Sequence, residues 1–276
     1  LIITLFLISC SRTPDLTTRL NRAVLLAETF NMSPFQAETQ HFNLVGFSKA
    51  ISVTRPIAVY IEGDGFAWVT RRLVSDNPTP KKPMFLRLAG LDPQENVIYL
   101  ARPCQYINFK LGQKCHPKYW TSHRYSEKVI LAYMEVLDVL QRKFNSSGFH
   151  LIGFSGGGAI VSLLASRRND ILSLRTIAGN LDHVTLNDEK RVSQLTGSLN
   201  PIDFAESLKN IPQIHFSGTK DKVVPSWVAR AFVRRVGEGA CVRSRFVEGV
   251  SHLKGWSKVW GELSLRTPLC NGISFQ

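Results

Sequence analysis

The sequence predicts an α/β protein with a mostly parallel central sheet and helices on both faces of that sheet. Short, almost continuously apolar runs recur along the chain, as expected of strands that are buried on both sides. Amphipathic segments with apolar residues at helical spacing lie between these runs. Alternation of the two is typical of βαβ units, in which the strands are parallel.

The elements follow in chain order. An N-terminal helix is predicted over residues 14–30, because Leu16, Leu20, Val24 and Ala27 recur at helical spacing after a Pro-Asp start. The predicted strands are residues 42–47, 57–61, 97–100, 149–154, 175–178, 214–217 and 245–247. The other predicted helices are residues 84–91, 126–144, 157–168 and 227–236.

The composition is that of one ordinary globular domain. Of the 276 residues, 44% are hydrophobic and 20% are charged, which excludes disordered, collagen-like and multi-span membrane proteins. The formal net charge is +13, which is enough to favour anionic surfaces such as phospholipid headgroups or nucleic acid. We favour the alternative of a solvated basic surface that at most helps the protein lie near membranes. The basic residues are scattered in short pairs without a nucleic-acid-binding motif, so no nucleic-acid partner is expected. No cofactor is expected either.

The first ten residues are an uncharged apolar run, too short for a membrane-spanning helix of roughly 20 residues. The run ends in LISC, which resembles a bacterial lipobox, where cleavage precedes a cysteine that then carries a lipid. This predicts a signal peptide over 1–10 with lipidation of Cys10, an N-terminal helix and linker over 11–40, and the main domain over 41–276. The protein would be anchored in the bacterial cell envelope, facing the periplasm. The alternatives are an apolar N-terminal strand with an incidental cysteine, because no Lys or Arg precedes the run, and a secreted or cytoplasmic protein.

Four further cysteines are an even number, compatible with two disulfides in an oxidising compartment. The simplest of the three pairings joins Cys104 to Cys115 and Cys241 to Cys270. The alternative is four buried thiols in a cytosolic protein. A metal site is disfavoured because the cysteines lack C-x-x-C spacing.

Residues 153–157 (GFSGG) lie directly after a predicted buried strand and directly before a predicted helix of small residues. A nucleophile at such a sharp turn needs glycines two positions to either side, since Cβ atoms there would clash with neighbouring backbone. This pattern makes Ser155 the candidate nucleophile. The alternative is a glycine-rich turn of a nucleotide-binding protein, but the G-x-G-x-x-G pattern and the P-loop lysine are missing.

A serine nucleophile needs a general base and an acid that orients the base, each expected just beyond a later strand. Asp221 follows the predicted strand around Ile214, and His252 follows the last predicted strand. Asp182 also follows a strand and is an alternative acid, and Asp203 is a third candidate. We favour Asp221, because a Gly218 turn, a Val-Val-Pro turn and a helix accompany it.

The oxyanion of such a reaction needs backbone N–H donors. One is expected from Gly156, directly after the nucleophile, and the other from the loop 62–66 (EGDGF), donated by Asp64 or Gly65. The alternative is a tight turn that uses the same glycines.

Four segments together resemble bacterial α/β-hydrolase-fold lipoproteins over residues 42–270: YIEGDGFAW from residue 60, ARPCQY from 101, GFSGGG from 153 and GTKDKVVP from 218. The resemblance implies the α/β-hydrolase fold and an esterase-like serine hydrolase whose triad is Ser155, Asp221 and His252. One departure is Glu62, since many esterases carry a histidine at this position of the oxyanion loop.

The expected function is therefore hydrolysis of a small-molecule acyl ester through an acyl-enzyme. The alternatives are a peptidase or acyltransferase with the same triad, and a non-catalytic envelope lipoprotein that uses the fold as a binding scaffold.

No large lid is expected, because only a short segment separates the predicted strands ending at residue 178 and starting at 214. The segment 101–125 is expected to overhang the pocket, and its aromatic residues either line that pocket or belong to the core. These residues are Tyr106, Phe109, Tyr119 and Trp120.

Overall fold

The computed structural model describes residues 13–49, 52–108, 115–237 and 241–270, together with the backbone of 272–275. The strands are β1 (Ser33–Glu38), β2 (Asn43–Ser48), β3 (Ile57–Ile61), β4 (Val97–Leu100), β5 (Phe149–Phe154), β6 (Ile171–Ile177), β7 (Gln213–Gly218), β8 (Val242–Val247), β9 (Arg266–Leu269) and β10 (Gly272–Phe275). The α-helices are α1 (Leu16–Glu28), α2 (Met84–Leu91), α3 (Glu127–Phe144), α4 (Gly156–Ala165), α5 (His183–Lys190), α6 (Ser226–Val236) and α7 (Trp256–Ser264).

Eight strands form one mixed sheet in the order β1-β2-β4-β3-β5-β6-β7-β8. From β4 to β8 every neighbouring pair is parallel, and β2 pairs antiparallel with both β1 and β4. β3 and β5 are buried along their whole length because helices cover both faces of the sheet, and their residues are apolar except for His150. The predicted mostly parallel sheet is confirmed.

Two apolar cores lie on opposite faces of the sheet. One face packs against α3, α4 and α6, and the other packs against α1, α2 and α7. Every residue of α4 is buried, in keeping with its uniformly small and apolar sequence. No helix in the described part of the chain combines the length and the apolar character needed to cross a bilayer.

The N-terminal segment contributes more than the expected helix and linker. The predicted helix is observed as α1, which Asp15 caps by accepting the Thr18 N–H at 2.7 Å. The residues after it, expected to be a linker, include β1, which pairs with β2 at the edge of the main sheet. The sequence of β1 contains a proline and polar residues and therefore lacks the apolar run that predicts a strand. Both are tolerated because β1 is an edge strand.

Candidate active site

The candidate residues lie at the carboxyl edge of the parallel strands, beside a switch in strand order. β3 pairs with β4 on one side and with β5 on the other, so the connections that follow β3 and β5 leave the sheet in opposite directions. Such a switch opens a crevice where ligands bind in open α/β sheets. Residues 62–65 follow β3 and Ser155 follows β5, so both border this crevice.

Ser155 occupies a backbone conformation that side chains rarely adopt, with φ 50° and ψ −116°. Hydrogen bonds hold this turn in place: the Ser155 N–H donates to Ile177 O at 2.9 Å, and the Ser155 carbonyl accepts the N–H groups of Gly158 and Asn180, each at 2.9 Å. The turn places the hydroxyl at the N-terminus of α4, where the positive end of the helix dipole favours negative charge.

His252 joins Ser155 to Asp221. Its Nε2 lies 3.0 Å from Ser155 Oγ, and its Nδ1 lies 2.8 Å from Asp221 Oδ2. With the proton on Nδ1, the imidazole donates to Asp221 and leaves the Nε2 lone pair free to accept the serine hydroxyl. The three predicted residues therefore form one continuous hydrogen-bonded chain, although they are up to 97 positions apart.

The Asp221 side chain is held by more hydrogen bonds and is more deeply buried than the His252 side chain. The Asp221 side chain is fully buried, and its second oxygen accepts the N–H groups of Val223 at 2.8 Å and Val224 at 3.0 Å. The His252 side chain retains 13% exposure, and its carbonyl accepts the Trp256 indole N–H at 3.1 Å. These contacts fix the orientation of the carboxylate and leave the imidazole open to the crevice.

The backbone amides predicted as oxyanion donors are those of Gly156, Asp64 and Gly65. Gly156 is the first residue of α4, and the first N–H groups of a helix have no hydrogen-bond partner within the helix. In the preceding loop, Gly63 N–H donates to Glu62 Oε1 at 2.8 Å and Phe66 N–H donates to Pro78 O at 2.9 Å. Between them, the N–H groups of Asp64 and Gly65 have no hydrogen-bond partner among the described residues.

Glu62 is buried beneath this loop, at the position where many esterases carry a histidine. Its carboxylate accepts the Gly63 N–H and, at 2.8 Å, the hydroxyl of Tyr99. Burial raises the pKa of Glu62 to about 7, against the opposing effects of these two hydrogen bonds and of the Arg102 charge. Through these hydrogen bonds the buried Glu62 side chain joins the start of the loop 62–66 to β4.

Asp64 carries a set of partners that the sequence analysis missed. Its carboxylate contacts Arg102 Nη1 at 3.0 Å, Arg124 Nη1 at 2.5 Å and the Tyr125 hydroxyl at 3.2 Å. Burial alone would raise the pKa of Asp64, but the charges of Arg124 and Arg102 outweigh burial and lower the pKa below its ordinary value. Of these partners, only Arg102 lies in one of the four segments that carry the family resemblance, ARPCQY. Nothing in that segment indicates that Arg102 pairs with Asp64.

The comparisons with solved structures identify the architecture. The structure is similar to Est1E from Butyrivibrio proteoclasticus with ferulic acid bound, with a TM-score of 0.61 and 13% identity over 83% of this chain and 96% of that chain. It is similar to the Pyrococcus furiosus esterase Pf2001, with a TM-score of 0.62 and 15% identity over 86% of this chain and 88% of that chain. The chain has the α/β-hydrolase fold.

A third protein of similar structure is the Pyrococcus horikoshii acylaminoacyl peptidase, with a TM-score of 0.61 and 11% identity over 85% of this chain and 40% of that chain. No protein-family model matches the sequence, and a search of the curated proteins gives no match. The structural similarity, at this level of identity, concerns the α/β-hydrolase fold alone.

The alternative acids have other roles in this hydrolase fold. Asp182 caps α5, accepting the Thr185 N–H at 3.2 Å, and also accepts the Asn200 amide at 3.1 Å. Asp203 lies in the 3₁₀ segment Pro201–Leu208. Neither is the carboxylate that hydrogen-bonds His252.

The aromatic residues expected near the pocket belong largely to the interior. Tyr106 and Trp120 are buried, and the Trp120 indole N–H donates to Ser75 O at 3.0 Å. Tyr119 packs edge-on against Phe42, with ring centroids 4.7 Å apart. Phe109 lies outside the described residues.

The cysteine pairing is the simplest of the three. Disulfides join Cys104 to Cys115 and Cys241 to Cys270. Cys104 is buried and packs against Ala67 and Trp120, beside the loop that follows β3. Cys10 lies outside the described residues. The described part of the chain contains no cluster of three or more side chains that could hold a metal ion.

Proposed function

We propose that this protein is a serine hydrolase that cleaves small acyl esters through an acyl-enzyme, with Ser155 as nucleophile, His252 as general base and Asp221 as the orienting acid. The observation that carries the proposal is the unbroken hydrogen-bond chain from Ser155 Oγ through His252 to Asp221, with distances of 3.0 Å and 2.8 Å. The esterases of similar structure support an ester substrate.

The proposed reaction has two halves. Ser155 Oγ attacks the ester carbonyl carbon while His252 Nε2 takes the hydroxyl proton. The resulting oxyanion accepts the N–H of Gly156 and that of Asp64 or Gly65. When the intermediate collapses, the C–O bond to the alcohol breaks and the imidazolium returns its proton to the leaving oxygen. Water, deprotonated by His252, then attacks the acyl-enzyme and releases the acid and free Ser155.

The test is hydrolysis by the purified protein of p-nitrophenyl acetate, butyrate, octanoate and laurate, beside the variant Ser155→Ala. We expect turnover by the wild-type protein and none above background by the variant, since the serine hydroxyl is lost without a large cavity. Acylaminoacyl p-nitroanilides form a second arm, because one protein of similar structure is an acylaminoacyl peptidase. Faster cleavage of the anilides than of every ester would replace the esterase proposal with a peptidase. Background turnover by both the wild-type protein and Ser155→Ala would indicate a binding scaffold, whereas equal turnover above background would place the nucleophile at another residue.

We also propose that the enzyme works in the bacterial cell envelope, held by a lipid on Cys10. Support comes from the lipobox-like LISC sequence and from the disulfides, which persist in oxidising compartments. In cells grown with labelled palmitate, we expect Cys10→Ala to lose both the label and the membrane fractionation. Equal labelling of the wild-type protein and the variant would exclude Cys10 as the lipidation site.

A further inference from the structure

The carboxylate of Asp64 lies directly against the backbone that is proposed to bind the oxyanion. A Cβ atom added to Gly156 would overlap the Asp64 carboxyl carbon and both of its oxygens. Asp64 therefore packs against the Cα atom of the residue whose N–H faces the developing negative charge. An uncompensated carboxylate at this distance would repel the oxyanion in a part-buried setting, where charges are weakly screened.

Two cations cover that carboxylate. Arg102 pairs with Oδ1 and Arg124 with Oδ2, and their side chains retain only 4% and 14% exposure. One negative and two positive charges leave an excess of one positive charge beside the oxyanion position. The lowered pKa of Asp64 agrees with this compensation.

Hydrogen bonds join Asp64, Arg102, Arg124 and Tyr125 into one cluster and connect this cluster to the turn at Ser155. An Arg102 guanidinium N–H donates to the Arg124 carbonyl, and Arg124 Nε donates to Thr121 O at 2.8 Å. The Tyr125 hydroxyl donates to Asp64 and accepts the Asn180 amide at 3.2 Å. The backbone N–H of Asn180 in turn donates to the Ser155 carbonyl at 2.9 Å.

We propose that Arg124 and Arg102 are positioning residues that act through Asp64. Their charges compensate a carboxylate that would otherwise oppose the oxyanion, so that the net charge beside the oxyanion is positive. Their ion pairs also hold the oxyanion loop against Gly156. This inference rests on the proposed hydrolase function. The two arginines are assigned no contact with substrate, so their effect is transmitted by charge and by the position of the loop.

The decisive experiment measures kcat and KM for the wild-type protein, Arg124→Gln, Asp64→Asn and the double variant. Arg124→Gln should lower kcat by about 10- to 100-fold, somewhat less than the loss of an oxyanion donor, with KM little changed. In the Asp64→Asn background the same substitution should lower kcat by less than about threefold, because Arg124 then no longer orients a carboxylate or holds the loop through an ion pair with it. Arg124→Lys should lose less than Arg124→Gln because it keeps the positive charge.

A matched control is Arg168→Gln. Arg168 also bridges two carboxylates, those of Asp138 and Asp170, each at 2.6 Å, but it lies beyond the opposite end of α4 from Ser155. Its loss should lower the thermal unfolding temperature and leave kcat unchanged. If Arg124→Gln does not fold, Tyr125→Phe replaces it, since that variant removes one donor to Asp64 in a nearly isosteric way. Its smaller loss of kcat should be reduced in the Asp64→Asn background, and the part that persists there measures the lost contact with Asn180.

Three outcomes would overturn the inference. Wild-type kcat in folded Arg124→Gln would show that the charge is irrelevant. An equal loss in the wild-type background and in the Asp64→Asn background, for Arg124→Gln, would show that the effect does not pass through Asp64. Failure of the wild-type protein itself to react with a fluorophosphonate probe would remove the proposed function and this inference together, whereas the first two outcomes leave the proposed function standing.

Discussion

The two halves of the candidate site hold a carboxylate in opposite ways. In the triad half, Asp221 is held by two backbone amides and one imidazole. In the oxyanion half, Asp64 is held by two guanidinium groups and one phenol. Neutral donors fix a carboxylate and leave its charge available to a neighbouring imidazolium, whereas cations cancel that charge. The difference fits the two roles, because one carboxylate should stabilise a positive charge and the other should not repel a negative one.

The largest expected effect belongs to the triad half. Asp221→Asn should lower kcat by as much as about 10⁴-fold with KM little changed, because the imidazole loses the acceptor that fixes its tautomer and stabilises the imidazolium. Steady-state kinetics on a p-nitrophenyl ester would measure this effect. The control is Asp182→Asn, in which the amide oxygen can still cap α5, so kcat should be little changed. Near-normal kcat in Asp221→Asn with a large loss of kcat in Asp182→Asn would show that the orienting acid is Asp182, which follows β6.

The next effect concerns the contact between the two halves. Gly156→Ala should lower kcat by roughly 10²-fold, about the effect of losing one oxyanion donor, because the new methyl group must displace the Asp64 carboxylate. Gly261→Ala, in α7, is the control: a Cβ atom there meets nothing within 4 Å, so activity should be retained. Unchanged kcat in Gly156→Ala would mean that Asp64 can shift without consequence, which would contradict the rigid oxyanion half.

The smallest effect is a pH dependence of stability that arises from Glu62. Its pKa in the folded protein is about 7, against an ordinary value of 4.5, so between these pH values the folded state holds a proton that the unfolded state has released. The contribution of Glu62 to the free energy of unfolding therefore falls as pH rises through this window. Glu62→Gln lacks the titration, so its stability relative to wild type should increase from about pH 5 to about pH 8, by at most about 3 kcal/mol.

Urea unfolding of both proteins at the two pH values measures this difference. Buried neutral histidines such as His215, whose pKa is lowered to about 3 by burial, titrate equally in both proteins and cancel. Glu127→Gln, at an exposed glutamate paired with Arg167, is the control for the loss of a surface carboxylate. A stability difference for Glu62→Gln that is independent of pH would show that Glu62 stays ionised in the folded protein.

The same two halves differ in how far the sequence predicts them. Ser155 and Asp221 each follow a strand whose apolar run is plain in the sequence, and His252 follows the last predicted strand. Their turns carry local glycine signals, so strand order alone suggests that they meet. Arg102, Arg124 and Tyr125 lie in a connection without such periodicity, and their meeting with Asp64 depends on the path of that connection over the sheet. Nothing local to those residues encodes it.

The fold shows a similar division. The predicted strands β3, β4 and β5 are observed with their predicted bounds, because burial along their whole length imposes a clear pattern. β6 and β8 begin four and three residues before their predicted starts. α5 was not predicted, since its sequence HVTLNDEK is polar and depends on the Asp182 cap. α7 was missed although Trp256, Trp260 and Leu263, which are buried at helical spacing, provided a signal.

The central claim is that Ser155 is a nucleophile activated by His252, and covalent labelling tests it most directly. The purified protein would be treated with a fluorophosphonate probe, digested and mapped by mass spectrometry, beside Ser155→Ala and His252→Ala. We expect a single adduct on the peptide that carries Ser155, no labelling in Ser155→Ala and labelling slowed by orders of magnitude in His252→Ala. An adduct on another residue, or undiminished labelling of Ser155→Ala, would contradict the assignment.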